Sequence, residues 1–288
     1  MPYFYLITTT LLSAATSVFG KLFHKRNEGG KDGSPLYTLA LIISALLGWG
    51  VIYIFDFSFD VGVLAFSILF SLFYIMGTLG IIRALECGPA MLTSLFIGLS
   101  LLIPTVWGFF FWNSPVSIPV IIGLVLVALS IFLCIYTKEK KEKALSGKWF
   151  FFITLSVLGN AGCTIVQRHE QMYFEGKHGT MLMVFSMLFS ALIYLFFYLK
   201  GDHSEDKQML KRAWWAPVLA GGCNAVHNLL VILLATTALS ASLIYPVIGV
   251  GGLAVVTVFS LFVFKEKMRW WQWAGVGVGA VAVALLSL

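Results

Sequence analysis

Long hydrophobic runs follow one another along almost the whole chain, and short polar or Gly- and Pro-containing stretches separate them. Each run approaches the roughly 20 residues that an α-helix needs to cross a bilayer. The pattern therefore predicts ten membrane-spanning helices, or nine if the second or sixth run, the two weakest, does not insert. The predicted spans are 2–23, 36–55, 62–85, 89–112, 115–136, 149–166 (extendable to 171), 180–199, 213–239, 242–264 and 268–288.

A basic connector, KEKKEK at 138–143, divides the ten spans into two sets of five. We expect a first half at 1–137, a connector at 138–148 and a second half at 149–288. Both halves end with a proline-bearing fourth span and a glycine-containing fifth, and one constant shift aligns Gly123 with Gly275. Because five is odd, the two halves would lie in opposite orientations, as in many secondary transporters. The predicted fold is an all-α polytopic membrane protein built from two inverted five-helix repeats.

The composition agrees with a lipid environment. Of the 288 residues, 59% are hydrophobic and only 11% are charged, whereas soluble domains have about 25% charged residues. The net charge of +6 resides in short loops, where lipid headgroups are nearer than any nucleic acid. The four cysteines lie far apart in or beside apolar runs, which predicts neither disulfides nor a metal site. The first run lacks a basic leader, so we interpret it as a retained span.

Charge also predicts the orientation. Alternate loops differ strongly in basic residues, because the even loops hold only Arg168 and Lys177 while all other loop lysines and arginines lie in the odd loops. Basic loops stay in the cytoplasm. The sequence therefore predicts a multi-pass protein of a bacterial-type inner (cell) membrane, with both termini outside the cytoplasm.

Three stretches carry a resemblance to a known family. The first span ends in Gly20-Lys21, the third runs into IIRALECGPAMLTS (81–94), and LFVFKEKMRWWQWAGVGVGAVAV (261–283) leads into the last, with Glu266, Gln272 and Gly275. Together they resemble the drug/metabolite transporter superfamily, in particular its EamA-type ten-helix members. Asn113-Ser114-Pro115 departs from that pattern, because an acidic residue often stands there. The resemblance implies an inverted-repeat bundle with a central cavity, and termini often in the cytoplasm, opposite to the charge argument.

The eighth span carries the sharpest polar signal. Asn224, His227 and Asn228 stand at i, i+3 and i+4 and so share one helix face near the middle of the run. Such groups line a cavity or hold helices together, at about 0.6 kcal/mol per contact. We favour the cavity, and His227 is a candidate proton carrier because imidazole titrates near neutral pH.

Polar residues at helical spacing also mark the first, third and sixth spans, which argues for a hydrated cleft. They are Ser13, Thr16, Ser17 and Gly20; Ser67, Ser71, Tyr74 and Thr78; and Ser156, Asn160, Thr164 and Gln167. Pro104 and Pro246 each remove a backbone donor and should bend their spans. The candidate substrate-binding residues are Asn160, Gln167, Asn224, His227, Asn228, Tyr74 and Tyr245.

Function is inferred from what is present and what is missing. No Asp or Glu falls in the middle of a predicted span, which favours a neutral, zwitterionic or anionic solute over a cation. No catalytic, cofactor or metal motif occurs, so we expect no enzyme and no cofactor. We expect a secondary transporter of a small polar metabolite, such as an amino acid or a sugar-like solute. The alternative is a flippase, or a subunit of one, for a lipid-linked headgroup. A coupling ion or proton and a homodimer through Gly275 and Gly279 stay open.

Overall fold

The computed structural model describes residues 1–27, 34–87, 90–136, 146–201, 203–263 and 269–286. These residues form helices joined by turns, without a β-strand. The helices are α1 (Pro2–Arg26), α2 (Ser34–Phe55), α3 (Val61–Cys87), α4 (Ala90–Leu99), α5 (Leu102–Phe111), α6 (Ile118–Ile135), α7 (Gly147–Tyr173), α8 (Gly179–Leu199), α9 (Asp206–Ala213), α10 (Trp215–Ala235), α11 (Ala241–Val263) and α12 (Trp270–Leu286). The KEKKEK connector and Glu266 lie outside the described residues, and the side chain of Glu86 is likewise not described.

The all-helical prediction is confirmed, and the described residues include six helices long and apolar enough to cross a membrane. These are α1, α2, α3, α7, α8 and α10, and they include both of the spans that the sequence pattern marked as weakest. Shorter apolar helices occupy the places of the fourth, fifth, ninth and tenth predicted spans. Large apolar side chains such as Leu47, Phe55, Leu192 and Phe196 are exposed along these helices, as expected for surfaces in contact with lipid.

The predicted fourth span is two helices rather than one bent helix. α4 ends at Leu99 and α5 begins at Leu102, with Ser100 and Leu101 in a turn. Pro104 has no N–H for the carbonyl of Ser100, and that carbonyl accepts instead from Ile103 N at 3.2 Å. α11 keeps Pro246 inside a continuous helix, so the two prolines act differently.

Two other boundaries differ from prediction. The eighth span begins at Trp215 rather than at 213, and the loop before it contains a short helix, α9, that the sequence pattern did not predict. The sixth span is longer, because α7 runs on to Tyr173. This extension brings Arg168 and Glu170 into a candidate membrane helix, where the sequence pattern had suggested a loop or a helix end.

The described residues group into two compact units, and helices α1, α3 and α7 contribute to both. The first unit consists of 1–11, 73–165 and 237–288, and the second of 12–72 and 166–236.

In the first unit α6 packs along α12. Ser130 Oγ donates to the carbonyl of Gly275 at 2.7 Å. A methyl group at Gly275 would meet the backbone of Cys134 at 2.9 Å, and one at Gly279 would meet Val250 at 2.5 Å. The small pair on α12 is therefore used for close packing inside the unit, and it does not offer a free dimer face.

The first unit also holds a close crossing of α3 and α7. A Cβ at Gly159 would lie 2.3 Å from the backbone nitrogen of Gly77, and one at Gly80 would lie 2.6 Å from the nitrogen of Ser156. Ser156 Oγ donates to the Gly77 carbonyl at 3.0 Å. Only glycine allows backbones to approach this closely.

In the second unit α2 packs against both α8 and α10. α3 joins α8 through Ser67, whose Oγ donates to the Leu182 carbonyl at 3.2 Å. At one end of this unit Thr180 Oγ1 lies 2.5 Å from Asp56 Oδ2, so the 56–60 and 174–178 loops meet there. At the other end, the last turns of α1 and α8 and the first turns of α2 and α10 meet α9 in one apolar cluster.

Candidate functional site

The polar face of α10 forms as its sequence spacing predicts. Asn224, His227 and Asn228 are all half-buried in a helix that is apolar enough to cross a membrane. Asn228 Nδ2 donates to the Asn224 carbonyl at 2.9 Å and lies 3.2 Å from Asn224 Oδ1. This arrangement leaves one amide donor on Asn224 and one amide acceptor on Asn228 to meet a ligand.

The last turns of α7 hold a denser polar group, of which sequence reasoning had singled out only Gln167. Gln167, Arg168, Glu170 and Gln171 are all buried, and Glu170 has an exposed fraction of 0%. Gln167 Nε2 lies 3.7 Å from Met183 Sδ on α8, and Gln171 Nε2 donates to Glu170 Oε2. We call these four residues the α7 polar cluster.

The turn between α7 and α8 closes over this cluster. Glu175 and Gly176 have φ values of 52° and 77°, a left-handed conformation that reverses the chain sharply. Gly176 N donates to the Gln171 carbonyl at 2.8 Å. A Cβ at Gly179 would lie 2.5 Å from Gln171 Nε2, so glycine at the start of α8 leaves room for that amide. Outside the helices, Lys177 donates to Glu175 at 2.8 Å and lowers the pKa of its carboxyl.

Several buried polar atoms of this region have spare bonding capacity. Glu170 Oε1, Gln171 Oε1 and His178 Nδ1 have no hydrogen-bond partner within the part of the chain that the structure describes. A buried carboxylate oxygen left in this state costs free energy, about 1–3 kcal/mol or more for a charged group. A proton, a cation or a donor group of a solute would remove that cost.

The structure shows a buried acidic residue that the sequence argument did not consider. Sequence reasoning found no acidic residue in the middle of a span and used this to disfavour cations. Glu170 lies in the last turn of a candidate membrane helix and is fully buried. A buried carboxylate is therefore present, and its absence no longer argues against a cationic group or a proton. The signal was available, because no glycine or proline interrupts the helix between Gly162 and Tyr173.

The other predicted site residues are spread over both units. Gln167 lies in the second unit together with the α10 face, whereas Tyr74, Asn160 and Tyr245 belong to the first. Asn160 Oδ1 lies near Gly77 of α3. Tyr245 is buried, with its ring centroid 6.1 Å from that of Trp112. Within the second unit, the structure groups the α10 triad on one helix face.

Most hydroxyl groups of the predicted polar stripes serve packing. Thr16 Oγ1 donates to the Leu12 carbonyl at 3.0 Å, and Thr78 Oγ1 donates to that of Tyr74 at 2.9 Å. Ser67 and Ser156 bond to neighbouring helix backbones, as described above. Each of these four hydroxyls therefore donates to a backbone carbonyl.

Among the described residues, no group of three or more His, Cys, Asp or Glu side chains could hold a metal ion. No family model and no curated protein matches this chain. The chain is similar to a solved structure described only as the crystal structure of a protein, with a TM-score of 0.74 and 10% sequence identity. That similarity covers 99% of this chain and 95% of the other. It establishes that the fold is shared along the whole length.

Proposed function

We propose that this protein is a secondary transporter of a small polar metabolite, such as an amino acid or a sugar-like solute. In this proposal ten helices form two inverted halves and expose a binding site alternately to each side of the membrane. The solute would be bound by amide, carboxyl and imidazole groups rather than by a metal or cofactor.

Helix pairing supports the inverted halves. If the ten helical segments are numbered as in the sequence prediction, segment five packs on ten and four on nine in the first unit, while two packs on seven in the second. If each segment is replaced by the corresponding segment of the other half, five by ten, four by nine and two by seven, each of these pairs is converted into itself. The same exchange converts the contact between α2 and α10 into that between α8 and α3, and both contacts exist. This is the pattern expected of a two-fold related pair of repeats.

One observation carries the transport proposal: polar side chains with spare bonding atoms lie buried or half-buried in helices that are apolar enough to cross a membrane. Asn224 and Asn228 keep a donor and an acceptor, and Glu170 keeps an oxygen without a partner. Polar residues that only hold helices together would use these atoms on neighbouring helices. Groups of this kind inside membrane helices commonly mark solute or ion pathways.

Glu170 is our candidate for energy coupling. A fully buried carboxyl in a membrane helix is costly when ionised and so favours a protonated or ion-bound state. His227 offers a second titratable group. In a proton-coupled carrier, the neutral Glu170→Gln variant keeps solute binding and exchange but loses uptake driven by a proton gradient.

The test begins with a thermal-shift screen of amino acids and sugars in detergent, because a solute that binds the folded state raises its melting temperature. A solute that raises it is then followed into proteoliposomes as a radiolabel. We expect Asn224→Ala and His227→Ala each to reduce uptake at least tenfold at unchanged protein content. Cys223→Ala, on the neighbouring face of α10, is the matched control and should transport normally.

The same experiments distinguish the transporter from the alternative, a flippase. Unchanged uptake in both α10 variants would refute the assigned site. If no soluble compound shifts the melting temperature and the protein instead moves a fluorescent lipid-linked headgroup across the vesicle bilayer, the flippase interpretation replaces the carrier.

A separate measurement tests whether Glu170 couples solute uptake to proton movement. Exchange of labelled for unlabelled solute needs no net proton movement, whereas uptake driven by a pH gradient does. Equal loss of both activities in Glu170→Gln would show that Glu170 acts on solute binding or folding rather than on coupling.

A further inference from the structure

The two ends of the second unit differ in charge. One end is formed by the last turns of α1 and α8 together with α9 and the start of α10, and we call it the α9 end. It holds exposed basic side chains at Lys25, Arg26, Lys200, Lys207, Lys211 and Arg212. The opposite end holds Asp56, Asp60 and Glu175, with Lys177 as its basic residue among the described loops.

α9 has one apolar face buried against the protein and one exposed basic face. Met209 and Ala213, one turn apart, are buried against Phe23 and Tyr37 in the apolar cluster of this end. Lys207 and Lys211, also one turn apart, are exposed on the other side, next to Arg212. An eight-residue helix with one apolar and one basic face is typical of segments at a membrane interface.

Aromatic side chains border the basic ones. Trp214, directly after α9, is 60% exposed. The Arg26 guanidinium lies 5.1 Å from the ring centroid of Trp215 and donates to the Arg212 carbonyl at 3.3 Å, so it is held in position. Lys200 Nζ lies 4.2 Å from the ring of the exposed Phe196. Tryptophan beside arginine and lysine is the composition found at the level of lipid headgroups.

The acidic residue in the first turn of α9 is turned away from this surface. Asp206 accepts a hydrogen bond from Tyr198 Oη and lies 3.0 Å from Nδ1 of His203. Its carboxylate is thereby turned toward α8 and the preceding loop. The exposed face of α9 keeps its positive charge.

We propose that the α9 end is a docking site for the headgroups of anionic phospholipids, with Lys207, Lys211 and Arg212 as its main contacts. Charge complementarity identifies the ligand, since three exposed cations beside the exposed Trp214 match the anionic phosphate of a lipid headgroup. The apolar face of α9 fixes the helix to the protein, so the site is preformed. The proposal does not depend on which solute is transported.

The direct test titrates short-chain phosphatidylglycerol into the full chain in a neutral detergent and counts bound lipid by native mass spectrometry. Each basic side chain at an anionic surface contributes about a fivefold gain in affinity. The variant Lys207→Gln/Lys211→Gln/Arg212→Gln should therefore bind phosphatidylglycerol roughly 100-fold more weakly. Phosphatidylcholine should bind equally weakly to the variant and the original chain.

The matched control is Arg83→Gln/Lys148→Gln/Arg269→Gln, which removes the same charge from exposed positions elsewhere. It should keep phosphatidylglycerol affinity within about twofold, because long-range charge is screened beyond roughly 10 Å. Equal weakening in both triple variants would overturn the proposal in favour of a net-charge effect. If the α9 variant does not fold, Lys207→Gln alone should weaken binding about fivefold, and an unchanged affinity would overturn it.

A second arm separates the lipid from its phosphate. Inorganic phosphate at matched concentration should neither compete with phosphatidylglycerol nor raise the melting temperature. Competition by phosphate would show a site for a free anion and would overturn the lipid assignment.

Discussion

The middle and the end of α7 differ in the size and the hydrogen bonding of their side chains. The middle, around Ser156 and Gly159, has small residues, so that its backbone touches that of α3 at Gly77. The end, from Gln167 to Gln171, buries four large polar side chains. In the middle, the Ser156 hydroxyl meets a backbone partner, whereas at the end two side-chain oxygens have none within the described part of the chain. The comparison teaches that polar residues of one helix are used for packing in one stretch and keep unused hydrogen-bonding atoms in another.

The largest effect is expected for Gly159→Ala, which tests the close packing of the middle of α7 on α3. The added methyl group would meet the Gly77 nitrogen at 2.3 Å, so the two helices must separate. Overpacking of a tight interior costs about 1–3 kcal/mol, and a clash with backbone, which cannot rotate away, belongs at the upper limit. We expect a clear fall in stability, measured by SDS-induced unfolding. A variant as stable as the original chain would contradict the close crossing.

The next largest effect comes from Glu170→Ala. It removes the acceptor of Gln171 Nε2 and leaves a buried donor unsatisfied, at a cost of about 1–3 kcal/mol. Glu170→Gln keeps the shape and offers an amide oxygen to the same donor. Unfolding curves should therefore place the glutamine variant near the original chain and the alanine variant well below it. Equal stability of both variants would show that this hydrogen bond is unimportant.

Ser156→Ala should have a smaller effect. It deletes the bond of 3.0 Å to the Gly77 carbonyl, and interhelical hydrogen bonds in membrane proteins contribute about 0.6 kcal/mol on average. The serine has no unpartnered atom, so transport should be unchanged. Uptake measured in parallel with unfolding checks both statements, and a large loss of uptake would move the binding site to this crossing.

The smallest effect, and the matched control for Gly159, is Gly222→Ala on α10. A Cβ at Gly222 meets nothing within 4 Å, and alanine has a higher helix propensity than glycine by about 1 kcal/mol. This variant should unfold slightly later than the original chain. Earlier unfolding would indicate that the exposed side of α10 has a packing role.

The helical architecture was largely predictable from the sequence. Each predicted span has a helix at its place, because hydrophobic run length and turn residues determine where a membrane helix begins and ends. The stretch KQMLKRA before Trp214 is amphipathic on its own, so α9 could have been predicted in the loop before the eighth span. The break at Ser100 was harder, since Pro246 in a similar context leaves α11 continuous.

The site was less predictable. Asn224, His227 and Asn228 share a face because helical spacing alone requires it. The burial of Glu170 depends on the turn at Glu175 and Gly176, whose positive φ values bring α8 back over the end of α7. A single-sequence pattern contains no information on that distant packing. The hydroxyl stripes stay a prediction, since serine and threonine that donate to helix carbonyls keep their acceptor lone pairs.

The pairing of α6 with α12 has a consequence for biosynthesis. Ser130 and the Gly275 carbonyl that it contacts are separated by 145 positions in the chain. At ribosomal elongation rates of about 5–20 residues per second, α6 is made on the order of ten seconds before α12. During that interval the face of α6 that later packs on α12 must be shielded by lipid, by earlier helices or by the insertion machinery. Completion of this bundle is therefore a late, post-insertion event in the life of each molecule.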